Sequence, residues 1–454
     1  MGIVTPVRAS ILATALGAAS ILSKSLAPIN GDHSWRQADA YAQILGMMGR
    51  RGLGPLSTFD GPPAMFDVPL YQALVAGLAL VTGAEPLVVV RFVDAGLWAV
   101  LVWAAYRVSE QLRRGSGAIA VALLATSPLF LHYYAAPLPD TLALSLGTWM
   151  LAEVLEGRAW WRPAVLVLIS SLVKSPIPFV LLVFLAVWLL LTKSWQHRRG
   201  YLAGLYGTAL VAAVAAEGLR RWITPPTASD AIAFSPRWYF GHLTDRLAAW
   251  FWETMGFRVV EAFATPWVAG LILLTVAAAL ILRRSDTWRA VAACLAGFLS
   301  GWLIFTNVYV IHNYYGLPTN LLVMLAAAAA VASFVDVARG WVPTALVLVV
   351  ALLIVYGHQL SDIRMTSWSD AARWALSESP SFVLVTDADT GPTVGGLVET
   401  PMSVMSPADF EATCEAVLAR EPAVIADGPS PCLAAHRSEA RVFLSGDGRT
   451  VWVR

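Results

Sequence analysis

Charge is what this 454-residue chain has least of. Only 13% of its residues are Asp, Glu, Lys or Arg, against about 25% in an ordinary soluble domain. The 31 basic and 30 acidic residues leave a net charge of +1, so no global basic field is available to hold nucleic acid. Cysteine is scarce as well: Cys294, Cys414 and Cys432 are the only three. No spacing among them matches a zinc or haem site, and no metal or cofactor is expected. A fixed-period repeat, a P-loop and a Gly-x-Gly-x-x-Gly phosphate cradle are all missing.

What the chain has is hydrocarbon. It is 57% hydrophobic with a mean hydropathy of +0.64. The apolar residues fall in runs of about 20, the length that crosses a bilayer as a helix. The 19 Trp and 12 Tyr suit side chains that settle at membrane–water interfaces. The pattern predicts a polytopic α-helical membrane protein with about eleven spans, roughly 8–29, 90–110, 117–135, 140–156, 162–176, 177–192, 201–219, 265–282, 289–310, 317–335 and 341–358. The first span has a long apolar part and no convincing cleavage site, so it reads as retained. Arginines and Lys193 crowd the loops after the second, fourth, sixth, eighth and tenth spans. A cytoplasmic N-terminus puts all of them inside. That orientation requires 69–81 to lie at the interface, within a long external loop 30–89. The external loop 220–264 carries Arg220, Arg221, Arg237, Arg246 and Arg258, which fit anion binding.

From about residue 361 the composition turns polar. Val383–Val385, Ala423–Ala426 and Val442–Leu444 read as strands. Asp409–Arg420 reads as an amphipathic helix with Phe410, Cys414, Val417 and Leu418 on one face. The domain boundaries are therefore 1–360 for the transmembrane part and 361–454 for a small α/β domain, placed outside by the odd number of spans. Cys294 reads as a buried hydrophobe. Cys414 and Cys432 share the tail and can pair if it is extracytoplasmic.

Polar chemistry gathers on one side of this topology. Asp32, His33, Trp35, Arg36 and Asp39 follow the first span directly, where ionisable groups are costly and mark a site. Arg91 opens the second span, Asp140 the fourth, and Lys174 ends the fifth. His312, Tyr314 and Tyr315 precede the tenth. Aromatic faces pack on sugar rings, Arg and Lys bind phosphate, and a carboxylate can deprotonate a hydroxyl. Each residue also has a plain structural reading. Asp32 and Asp39 can be loop acids and Asp140 a helix N-cap. Lys174 can snorkel, Arg91 can anchor to headgroups, and His312 with the tyrosines can form an aromatic belt.

His33-Ser34-Trp35-Arg36-Gln37-Ala38-Asp39 resembles the histidine–Trp-Arg-Gln–acidic motif of a bacterial subgroup of the GT-C membrane glycosyltransferases. Asp67-Val68-Pro69-Leu70-Tyr71, Thr126-Ser127-Pro128 with Pro139-Asp140, and His312-Asn313-Tyr314-Tyr315 with Leu317-Pro318 follow in that family's order. The branch is the one similar to protein O-mannosyltransferases and lipid A aminoarabinose transferases. The resemblance implies a catalytic acid in the first external loop, a polyprenyl-phosphate sugar donor and inversion at the anomeric carbon. The motif's end favours Asp39 as base; closeness to the first span favours Asp32. Arg36, Arg91 and Lys174 would hold the phosphate, and His33, Trp35, Asp140, His312, Tyr314 and Tyr315 the substrates. The implied partners are the lipid-linked donor, an envelope glycan, lipid or protein acceptor, and membrane lipids of an inner membrane. A transporter of a lipid-linked or anionic substrate is the alternative reading, and a non-catalytic assembly subunit a third.

Overall fold

The computed structural model describes residues 6–23, 34–50, 55–56, 65, 67–193, 195–223, 239–263, 265–282 and 287–334. In the C-terminal part it describes 383–385, 403–405, 407–420, 423–426, 430–435, 441–444 and 450–453. Asp32, His33, the side chain of Trp35 and the expected span 341–358 lie outside the described residues. Two compact units result. One holds Met1–Ser25, Phe66–Tyr71 and Val90–Asp362; the other holds Leu26–Met65, Gln72–Val89 and Ile363–Arg454.

The helices run α1 (Pro6–Leu22), α2 (Ser34–Met47), α3 (Leu70–Thr82), α4 (Pro86–Leu112), α5 (Gly117–Ala125), α6 (Pro128–Tyr133) and α7 (Pro139–Leu155). They continue with α8 (Trp161–Lys174), α9 (Pro176–Leu191), α10 (Trp195–Ile223), α11 (Ala249–Glu261), α12 (Pro266–Ile281), α13 (Thr287–Ile304), α14 (Thr306–Ile311) and α15 (Gly316–Phe334). Among the described residues, four helical segments are long and apolar enough to cross a bilayer: α4, α10 from Arg198, α13, and Asn313–Phe334. The α11–α12 pair, bent by 105°, adds a fifth if it counts as one span. The chain is a multi-pass membrane protein. Helix α3 has 13 residues, about 20 Å, less than the roughly 30 Å hydrocarbon thickness.

Two expected spans are broken. Within 117–135, Thr126 ends α5 and Ser127 starts α6, its hydroxyl accepting from Phe130 N. Pro128 stands at the first position of α6, where its missing N–H does no harm but the preceding helix cannot run through. Within 289–310, Phe305 leaves helical geometry at φ −96°, ψ 40° between α13 and α14. At the next break, Ser175 alone separates α8 from α9, and Pro176 opens α9.

In the first unit α7 packs on α8, α10 on α8, and α13 on both α9 and α15. Close approach of α13 rests on Gly297 and Gly301, four residues apart. A Cβ at Gly301 would stand 2.7 Å from Thr319 Cγ2 of α15, so only glycine lets these backbones meet. Helix α10 behaves differently. Leu202, Leu205 and Ala212 are buried on one side, while Leu210, Val211 and Val214 on the other are mostly exposed. An apolar surface left bare in such a chain faces lipid.

In the second unit, β1 (Val383–Val385), β2 (Ser403–Met405), β3 (Ala423–Ala426), β4 (Arg441–Leu444) and β5 (Thr450–Val453) form a sheet of order β2-β1-β3-β5-β4. The first three strands are parallel and β3-β5-β4 antiparallel. Helix α16 (Pro407–Arg420) lays Phe410, Cys414, Val417 and Leu418 against Val424, Ala426, Leu433 and Trp452. A disulfide joins Cys414 to Cys432 of α17 (Pro431–Ala435), with Cα atoms 6.4 Å apart. Cys294 is a free, buried thiol.

Candidate active site

Lys174 is the last residue of α8, at the negative end of that helix, where a cation is favoured. Its side chain is only 6% exposed, so the ammonium does not snorkel to water. Lys174 Nζ donates to both carboxylate oxygens of Asp67, at 3.1 Å each. Asp140 Oδ2 lies 3.9 Å from the same nitrogen. The ring of Tyr315 sits 4.9 Å and that of Tyr314 5.8 Å from the same nitrogen. A buried ammonium is tolerable only with such partners, because desolvating an ion costs several kcal/mol.

Asp140 is the second residue of α7 and completely buried. Leu138, not Asp140, holds the N-cap position, so the capping reading of this acid does not hold. Its carboxylate still benefits from the positive end of the helix. His312 ends α14, and Asn313–Tyr315 form a 3₁₀ turn before α15. This turn stacks His312 on Tyr314 at 5.2 Å and on Tyr315 at 6.1 Å. The Tyr133 hydroxyl donates to Asn313 Oδ1, and the Tyr133 ring meets Tyr314 edge-on. Lys174, Asp140, His312, Tyr314 and Tyr315 thus form one cluster.

Arg36 and Asp39 are buried one turn apart on α2, in the second unit. Arg91 is buried one turn before Asp94 on α4 and interacts electrostatically with it.

A cleft of about 550 Å³ opens at the cluster. Asp67, Lys174, Glu217, Arg220 and Arg221 bring charge to its lining, and Tyr239, Phe240, Phe305 and Tyr315 bring rings. Ala213 and Val214, from the lipid-facing side of α10, supply an apolar edge. Arg220 and Arg221 both bond Glu217. Burial pushes the Tyr239 hydroxyl above the usual phenol range, while the nearby Arg220 opposes that shift. Of these cleft residues, Asp67, Glu217, Tyr239 and Phe240 are not singled out as site residues by the sequence. The available signals were an acid ending the long first loop just before an apolar helix, and a Glu–Arg pair closing a span.

Two arginines of residues 220–264 donate to main-chain oxygens. Arg246 donates to Leu303 O and Ile304 O at the end of α13, and to Phe240 O and His242 O of its own loop. Arg258 pairs with Glu261 and donates to Val310 O of α14 at 3.1 Å. Helix C-termini leave carbonyls unpaired, and a guanidinium satisfies several at once. Among the described residues, no group of three His, Cys, Asp or Glu side chains is placed to hold a metal ion.

This arrangement matches a known architecture: the fold is similar to those of solved proteins that include an oligosaccharyltransferase and an arabinofuranosyltransferase. It is similar to ArnT from Cupriavidus metallidurans, solved with bound undecaprenyl phosphate, at a TM-score of 0.65 and 15% identity, with 97% of each chain covered. It is similar to the Archaeoglobus fulgidus oligosaccharyltransferase at a TM-score of 0.54 and 13% identity, over 93% of this chain and 69% of that one. The arabinofuranosyltransferase AftD from Mycobacteria aligns at a TM-score of 0.54 and 17% identity, over 98% of this chain and 39% of AftD. At such identities the likeness is one of fold. No family model matches the chain, and no curated protein matches it.

Proposed function

We propose that this protein is an inverting glycosyltransferase of an inner membrane. It takes a sugar from a polyprenyl-phosphate carrier on the external face and transfers it to a hydroxyl of an envelope glycan, lipid or protein. The observation that carries this reading is the cleft's composition: the buried cations Lys174 and Arg220, aromatic side chains, and an apolar edge from α10. A ligand matching all three has an anionic head, a sugar and a hydrocarbon tail. The GT-C fold supports the same reading, since the ArnT neighbour was solved with undecaprenyl phosphate. The proposed topology keeps about eleven spans, with residues 361–454 outside the cytoplasm.

In the proposed reaction the acceptor oxygen attacks the anomeric carbon from the face opposite the phosphate. The bond between that carbon and the phosphate oxygen breaks, and the phosphate leaves on its lipid with the bonding electrons. Cations such as Lys174 and Arg220 stabilise the charge that develops there. Asp39 takes the acceptor proton, with Asp32 supporting. Asp67 is engaged with Lys174 and orients that cation. Arg36 and Arg91 complete the proposed donor site, and His33, Trp35, Asp140, His312, Tyr314 and Tyr315 line the substrate pocket.

Mass spectrometry of envelope glycans with and without the protein identifies the transferred sugar and its acceptor. With that assay, Asp39→Asn should lose about 10²–10⁴-fold in turnover while the protein stays folded, the usual cost of removing a general base. Asp32→Asn should lose less. If both variants transfer sugar at near-normal rates, the assignment of the base is wrong.

A further inference from the structure

Asp94 lies inside the membrane-spanning helix α4 and is completely buried. A carboxylate at such depth is expensive, so its partners identify what it is kept for. The strongest is Tyr71, whose hydroxyl lies 3.0 Å from Asp94 Oδ1 and 3.2 Å from Oδ2. Thr141 Oγ1 is 3.4 Å from Oδ1 and 2.8 Å from Leu138 O, and its single proton is shared between the two acceptors. Arg91, one turn earlier on α4, supplies the counter-charge. Tyr71 and Thr141 are themselves completely buried.

Both hydrogen-bond partners are chain neighbours of the carboxylates that flank Lys174. Thr141 follows Asp140 directly. Tyr71 follows Asp67 by four residues, with Pro69 between them. Proline holds φ near −65°, so a fixed Tyr71 leaves Asp67 little freedom. Helix α4 therefore ties the segment carrying one carboxylate to the helix carrying the other. We infer that Asp94 is a positioning residue: through Tyr71 and Thr141 it fixes the spacing of Asp67 and Asp140, and thereby holds the Lys174 ammonium in the lining of the cleft. The inference rests on reading the Lys174 cluster as the working centre.

A plain structural tie between helices would give Asp94 the same contacts, so the test reads Lys174 itself. The chain has three lysines, Lys24, Lys174 and Lys193. Lys193 is exposed and serves as internal standard. The full chain in lipid nanodiscs is treated with acetic anhydride, and acylation of Lys174 relative to Lys193 is followed by peptide mass spectrometry. Tyr71→Phe should speed Lys174 acylation about tenfold, the factor matching loss of a hydrogen bond to a charged group. Thr141→Val should do so less. Asp94→Asn keeps an oxygen for Tyr71 to bond and should stay within about twofold of the parent, whereas Asp94→Ala should match Tyr71→Phe.

Undecaprenyl phosphate binding to the same nanodiscs is the second measurement. Faster Lys174 acylation with weaker undecaprenyl phosphate binding supports the positioning role and the donor reading together. Faster acylation with unchanged binding supports the positioning role and removes the phosphate assignment. A Tyr71→Phe protein that melts earlier but acylates Lys174 at the parent rate overturns the inference, and so does Asp94→Asn loosening Lys174 as much as Asp94→Ala.

Discussion

Lys174 shows what one residue's neighbourhood reveals and hides. Its sequence setting, a cation closing an apolar helix just before Ser175-Pro176, singles it out as a candidate. Its principal partner is hidden, because Asp67 stands 107 residues away in the chain and no local pattern links the two. Arg91 illustrates the opposite case. Asp94, three residues on, is legible as a same-face partner on a helix, and the two interact electrostatically. Losing the ammonium takes the cation away from two carboxylates. Lys174→Met should therefore destabilise the protein by about 3–5 kcal/mol, the range for breaking a buried ion pair. Adding Asp67→Asn should recover part of that loss. Thermal unfolding in detergent, followed by size-exclusion chromatography, measures both, and a single variant as stable as the parent would refute the pairing.

Among the elements, length and periodicity carried most of the information. Runs of about 20 apolar residues locate the long helices. The i, i+4, i+7, i+8 spacing of Phe410, Cys414, Val417 and Leu418 matches the face that α16 buries. Helix breaks inside apolar runs were harder to read. Ser127-Pro128 is a legible N-cap followed by a first-turn proline, yet hydropathy alone runs straight across it. The break at Phe305 has no such residue signal. Strands β2 and β5 are three and four residues long, too short for alternation to stand out. Close packing of α13 on α15 leads to a sharp expectation. Gly301→Leu must push side-chain atoms into Thr319 and Tyr309, at a cost of about 1–3 kcal/mol for an overpacked core. An unchanged melting temperature would mean that the two helices do not approach as closely as described.

The whole molecule depends on topology, and topology is open to direct labelling. Arg114 lies in a loop assigned to the cytoplasm and Glu253 in a loop assigned outside; both are exposed. Cys294 is buried and Cys414 is bonded to Cys432, so new thiols dominate the signal. Arg114→Cys and Glu253→Cys should react with a membrane-impermeant maleimide from opposite sides of sealed vesicles. Reaction from the same side would overturn the orientation and, with it, the external cleft.

The Arg246 latch has a consequence for how this protein tolerates change. Its four acceptors are main-chain oxygens, at Phe240, His242, Leu303 and Ile304. Every amino acid carries that oxygen, so substitution at any of the four positions leaves the acceptor in place. The donor has no such redundancy, since no other side chain presents five N–H groups in a planar fork. Inheritance at this latch is therefore lopsided. Four positions are free to drift in side chain without loosening it, and one is a single point of failure for the segment that carries Phe240 to the cleft.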